Sequence, residues 1–314
     1  MLPVPNFKGF DFFPHGTHIN FMRFKSGCFW GSIVAMALAI GLIAFQGFNY
    51  GVDFKGGSMI EVQSSAGPAD IAAMRAKLGS LGLGDVQIQQ FGKASDVLIR
   101  VEQQPGGDAA QQPALRKIID ALGPGFVQRR VEVVGPAVSA ELRQSGLIAV
   151  LAAIGAIIAY VWFRFEWQFA VGTVVALAHD VLIVAGIFSL FNLEFDLSIV
   201  AALLTILGYS VNDTVVVSDR IRENLRKFKR MDLNELLNLS INETLSRTIL
   251  TGVTTLVVLV VLFLFGGSVI RNFTLAMLLG IIVGTYSSIF IAAPILDYLG
   301  IKRETVVGKE AAKA

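Results

Sequence analysis

The chain has 314 residues, of which 54% are hydrophobic and only 16% charged, with a mean hydropathy of +0.64. Soluble domains carry about 25% charged residues, so the composition indicates a membrane protein. A net charge of +2 gives no basis for nucleic-acid binding, and the lone Cys28 excludes an intrachain disulfide framework or a cysteine-based metal cluster.

The opening, MLPVPNFKGFDFFPHGTHINFMRFKSG, is aromatic and polar. It has no short apolar core before a cleavage site, so the first apolar run is expected to stay as an anchor. A spanning helix needs about 20 mostly apolar residues. Six runs qualify: Cys28–Phe48, Leu142–Phe163, Gln168–Phe191, Leu197–Ser218, Arg247–Phe265 and Phe273–Leu299. The last is long enough to tilt or end early.

Between the first two spans, residues 49–140 are polar and read as a small domain. GSMIEVQ alternates as a strand, with Met59, Glu61 and Gln63 opposed to Ile60 and Val62. PADIAAMRAKLGSLG reads as a helix with Pro68 near its start and glycines at its end. VQIQQFG and DVLIRVE are strands joined by a turn around Lys93–Ser95. EQQPGGDAAQQP has the composition of a mobile loop. QQPALRKIIDALG is a second helix and FVQRRVEVVG a last strand. The order β-α-β-β-α-β is the ferredoxin-like unit. The domain has no His, Cys or Gly-rich phosphate loop, so it reads as a binding or mechanical module, or as a cap for partner proteins. The predicted fold class is thus an α-helical integral membrane protein of six spans with an α+β ferredoxin-like domain between the first and second.

After the fourth span, residues 219–246 form a connector in which Met231, Leu233, Leu236, Leu237, Leu239 and Ile241 predict an amphipathic helix on the membrane face. Asp232 or Asn234 is placed to cap it. Lys and Arg near the span ends set orientation. Arg23, Lys25, Arg164, the run Arg220 to Arg230, and Lys302, Arg303, Lys309 and Lys313 all fall on one side of a six-span model, and Arg271 is the exception. The loop NLEFDL on the other side has acids and no bases. Residues 1–27 and 300–314 are therefore expected to be cytoplasmic and the large domain periplasmic.

Ionisable groups at membrane depth are costly and usually mark ion or proton pathways. Asp213 lies within the fourth span, in GYSVNDTVVVSDRIREN, and Arg247 opens the fifth, in LSRTILTGVTTL, so neighbouring helices would bring them to similar depth. Ser210, Asn212, Thr214, Thr248, Thr251, Thr254 and Thr255 cluster nearby, as interhelical hydrogen bonding alone would require. Three readings of Asp213 stand open. It titrates, with desolvation and a mobile Arg247 acting on the carboxyl in opposite directions. It forms a fixed structural ion pair with Arg247. Or Arg247 only snorkels to the interface. His179 and Asp180, in VALAHDVLIV, relay protons or bond neighbouring helices. Asp219-Arg220 reads as a solvated interfacial anchor, and Gly280 and Gly284 form GxxxG, a close-packing face. No P-loop, HExxH or GxSxG occurs, so no enzyme is indicated and work must come from a partner or an ion gradient.

GVDFKGGSMIEV, VGPAVSAELRQSG, ALAHDVLIV, GYSVNDTVVVSDRIREN and NETLSRTILTGVTTL, in this order and spacing, resemble the SecF family from about Phe21 to Arg303. The resemblance implies a multi-pass inner-membrane subunit of the resistance-nodulation-division superfamily. It would be paired with SecD as an obligate heteromer and use the proton-motive force in late stages of preprotein export. It implies action on the SecYEG translocon, with YajC and the YidC insertase as further partners, contact with membrane lipid and the emerging preprotein, no nucleic acid, and no cofactor beyond protons as coupling ion. It implies that Asp213 and Arg247 belong to a proton pathway completed by an Asp on the SecD half; the residues themselves add Asn212, Thr214 and Thr248 around them, with His179 and Asp180 as weaker candidates. Asp53, Phe54, Gly56 and Gly57 match a motif at the base of the periplasmic domain, where the glycines suit a tight bend. Half of a drug or lipid exporter of the same superfamily, or a translocon subunit that does not couple protons, are the alternatives.

Overall fold

A computed structural model of the chain describes residues 18–301 apart from 85, 107 and 268. Among the described residues, six helices are long and apolar enough to cross a membrane: Phe21–Gln46, Pro136–Arg164, Trp167–Leu190, Leu197–Lys227, Leu233–Phe265 and Arg271–Tyr298. The first is a short 3-10 turn running into α1 (Lys25–Gln46), and the next four are α5, α6, α7 and α8. The sixth is composite: α9 (Arg271–Ser287), a π-helical turn (Ser288–Ala292) and α10 (Ala293–Tyr298).

Between α1 and α5 the chain forms β1 (Asn49–Tyr50), a one-turn α2 (Val52–Lys55), β2 (Gly57–Ser64), α3 (Ile71–Gly79), β3 (Val86–Phe91), β4 (Lys93–Val101), α4 (Asp108–Leu122) and β5 (Phe126–Val134). The four long strands pair in the order β3-β4-β2-β5, every pair antiparallel. That is the ferredoxin-like arrangement, and the alternation of β2 explains it. Ile60 and Val62 face α3 and α4 and pack with Met74, Leu78, Ile99 and Ile118 in one core, while Met59 and Glu61 take the open face.

One boundary in this domain differs from expectation. The β3–β4 reversal occurs at Gly92, whose φ of +76° turns the chain in a single residue, so Lys93–Ser95 already belong to β4. The second half of EQQPGGDAAQQP is helical. α4 starts at Asp108, and the buried Gln111 donates to Ser58 Oγ (2.8 Å) and accepts from the Gln104 amide (3.0 Å). The buried Gln111 amide is thereby satisfied on both its donor and acceptor sides.

The membrane bundle has an inner and an outer layer. The most apolar windows of α6, α7 and the sixth helix are about half buried (56%, 50% and 56%), against 11–17% for α1, α5 and α8. Small residues bring the inner helices together. A methyl at Gly280 would collide with Ile206 of α7, one at Gly284 would lie 3.2 Å from Ser210 Cβ, and one at Gly172 of α6 would meet the Ala292 carbonyl at 2.9 Å. Without a hydrophobic driving force between helices, such close approach is what packs them.

The connector also differs from expectation. No separate helix lies on the membrane face: α7 continues to Lys227, the chain turns at 228–232, and α8 starts at Leu233 and runs to Phe265. Asp232 caps it, accepting from the Asn234 amide. The leucine stripe predicts a face turned to the membrane surface, but Leu236, Leu237, Ile241 and Leu245 are buried against Phe21, Met22, Val217, Ile221 and Leu225. An apolar stripe seals equally well against a neighbouring helix, and no proline interrupts 233–265. Lys302, Arg303, Lys309 and Lys313 lie outside the described residues.

Candidate functional site

Asp213 sits on the inner face of α7 with 8% of its surface exposed. Its Oδ1 accepts from Thr248 Oγ1 of α8 at 2.5 Å, and its Oδ2 accepts from Ser288 Oγ at the first residue of the π-helical turn. Both hydroxyls are buried. The carboxyl thus joins three helices through two hydroxyl donors.

The residues expected around it are only partly gathered. Thr248 is a direct partner. Thr214 is buried beside Asp213, with its hydroxyl left without a hydrogen-bond partner. Asn212 and Arg247 are exposed on the outer flank. The ion pairs among the described residues do not join Arg247 to Asp213, so this conformation holds no fixed Asp213–Arg247 bridge. Thr251, Thr254 and Thr255 bond back to carbonyls of their own helix, as mid-helix threonines do, and Thr251 and Thr255 also meet the Tyr209 side chain of α7.

One turn before Asp213, Ser210 reaches a second acid. Asp180 of α6 is fully buried; its Oδ1 lies 2.9 Å from His179 Nδ1 and its Oδ2 accepts from Ser210 Oγ (2.6 Å) and Ser287 Oγ (2.9 Å). The sequence reading missed Ser287 and Ser288. Two adjacent hydroxyls in an apolar helix were the available signal, in GTYSSIF, but their targets are distant in sequence.

The motif at the base of the sheet domain forms a separate junction. Asp53 accepts from the Leu197 amide (3.0 Å) at the start of α7, supplementing the cap by Asp196. Phe54 is buried against Phe195 and Tyr50. Gly56 and Gly57 have φ of +75° and +114°, and a methyl at Gly57 would strike the Val101 carbonyl, so only glycine fits there. β1 pairs in parallel with β6 (Glu194–Phe195), and Arg100 of β4 bridges to Glu194. The sheet domain is therefore tied to the loop between α6 and α7.

Residues 114–302 match the model of the "Protein export membrane protein SecD/SecF, C-terminal" family, and residues 41–67 match the SecD/SecF GG motif. The chain is 43% identical over 303 residues to protein translocase subunit SecF of Escherichia coli O157:H7, covering 95% of this chain and 94% of that one. It is 45% identical over 296 residues to protein translocase subunit SecDF of Brucella abortus, covering 94% of this chain and 39% of that one. A crystal structure of a Thermus SecDF, described as a translocon-associated membrane protein, superposes with a TM-score of 0.82 at 38% identity, covering 91% of this chain and 39% of that one. The chain therefore spans about two fifths of the SecDF proteins and nearly all of the SecF protein. The buried acid of α7 and the glycine-built junction both lie inside the two matched regions, and the chain belongs to the SecD/SecF family of protein export membrane proteins.

Proposed function

We propose that this chain is the SecF-type half of a proton-driven export complex, in which protonation of Asp213 biases the helix bundle between states and the sheet domain transmits that motion to an emerging preprotein. The observation that carries the reading is the Asp213 carboxyl, buried in an apolar bundle and held by Thr248 and Ser288 rather than by a cation. A proton is what such a group exchanges with least disturbance, because hydroxyls serve its charged and neutral forms alike. Arg247 acts from the outer flank, approaching or leaving as the bundle shifts.

That flank also supports the SecD partner. Arg247, Thr251 and Thr254 form an exposed polar stripe on a helix otherwise lined by Val253, Val257 and Val261. Polar groups facing lipid are costly, so a second six-span half completes the site there. In this reading both termini are cytoplasmic and the sheet domain is periplasmic. The complex works with SecYEG, YajC and YidC, it needs no cofactor besides protons, and the chain hydrolyses no nucleotide.

A half-exporter of small lipophiles is less well supported. Two cavities bordering the sheet domain measure about 170 and 180 Å³, and the first is lined by Asp53, Arg130 and Glu194 among others, whereas small-molecule pockets run to about 300–1,000 Å³ and are mostly apolar. The test is Asp213→Asn in a complex that still assembles with SecD. Proton-gradient-dependent release of an exported protein is expected to be lost, and undiminished release would overturn the proposal in favour of a non-coupling subunit.

A further inference from the structure

Asp180 is a second buried carboxylate in the same bundle, and the reading of Asp213 does not use it. The groups gathered at it come from four helices. α6 supplies His179, and α7 supplies Ser210 with Asp213 one turn on. α9 supplies Ser287, and its Tyr286 lies against the His179 ring at 5.9 Å between centroids. α1 reaches the cluster through the Cys28 carbonyl and Ser32, both bonded to the Tyr286 hydroxyl. Among the described residues, the only ion pair made by Asp180 is with His179.

An ionised carboxylate enclosed in an apolar bundle is costly unless a countercharge meets it. The one group in contact that supplies a countercharge is His179, and an imidazole does so only by holding a proton. His179 and Asp180 therefore form a unit whose charge balance depends on a shared proton.

The pair is wired to Asp213. Ser287 and Ser288 are consecutive residues, and one bonds Asp180 while the other bonds Asp213. Ser210, three residues before Asp213 on α7, bonds Asp180 as well. The junction lies where α9 widens into the π-helical turn, a distortion that recurs at functional sites. Gly284 lies against this junction, where a methyl would crowd Ser210 Cβ at 3.2 Å, on the serine that bonds Asp180.

We propose that His179–Asp180 is a second proton-holding element of this half, coupled to Asp213 through Ser287–Ser288 and Ser210, so that the protonation of one acid sets that of the other. The proposal rests on the reading of Asp213 as proton carrier. The experiment is infrared titration of the carboxylic-acid carbonyl bands in the purified complex with SecD, from acid to alkaline pH. Asp180→Asn is expected to remove one band and to shift the midpoint of the band that Asp213→Asn removes. Ser287→Ala is expected to keep both bands and shift that same midpoint. If Asp180→Asn removes no band and leaves the Asp213 midpoint in place, Asp180 is a permanently charged hydrogen-bond hub and the proposal fails. Should Asp180→Asn not assemble, His179→Gln and Ser287→Ala decide the matter, and an Asp213 midpoint unmoved in both overturns it. If Asp213→Asn removes no band, the reading of Asp213 fails on its own, while the band assigned through Asp180→Asn still decides whether the pair holds a proton.

Discussion

At the scale of single residues, the site is built from hydroxyls rather than from a salt bridge. Thr248 is adjacent to Arg247, yet the threonine turns inward to Asp213 while the arginine is exposed. Neighbours on a helix differ by about 100° in direction, so only one of them can share the carboxyl's face. Hydrogen bonds to charged groups contribute about 1.5–3 kcal/mol. Thr248→Val is therefore expected to alter the proton equilibrium at Asp213 by roughly tenfold or more and to lower gradient-dependent export in membrane vesicles. Thr248→Ser, which keeps the hydroxyl, should restore it. Full export by Thr248→Val would show that this bond is dispensable. Asp213 was legible in the sequence because a carboxylate in an apolar run is conspicuous. Ser288, 75 residues away, was not, because nothing local distinguishes a partnered serine from one bonded to its own helix.

At the scale of elements, glycine decides which helices form the inner layer. α7 and α9 approach closely because Gly280 faces Ile206 and Gly284 faces Ser210. Overpacking such a contact costs about 1–3 kcal/mol. Gly280→Val should lower the thermal stability of the purified complex by an amount in that range, and Ile206→Ala should recover part of the loss. Equal melting of wild type and Gly280→Val would show that the helices yield there without strain. The GxxxG spacing was readable in advance, but its partner helix was not. The same limit explains the connector. The leucines of 233–241 marked an apolar stripe, and only the fold revealed that Phe21, Met22 and α7, not lipid, cover it.

At the scale of the whole molecule, the sheet domain and the membrane bundle meet at Arg100–Glu194, Asp53–Leu197 and the β1–β6 pairing. Burial pushes the Glu194 carboxyl above its ordinary value of 4.5, with Asp196 and Asp53 adding to the rise and Arg100 opposing it. The docked junction thus binds a proton more tightly than a freed Glu194. Its stability is greatest below the ordinary value and declines as pH rises through the raised one. Amide exchange at β1 and β6 should accelerate across that window in the wild type, and Glu194→Gln should flatten the dependence; identical profiles would remove Glu194 from the junction's energetics. The sequence by itself determined the six spans, the order of strands and helices in the domain, and the buried acid. Each is encoded by local periodicity or by a charge in apolar surroundings, which no distant contact can hide. The tertiary structure alone decided that Thr248 and Ser288, not Arg247, hold Asp213, that Ser287 and Ser210 link it to Asp180, and that the glycine motif ties the domain to the start of α7. Those are pairings between residues far apart in the chain, and packing geometry, not local pattern, selects them.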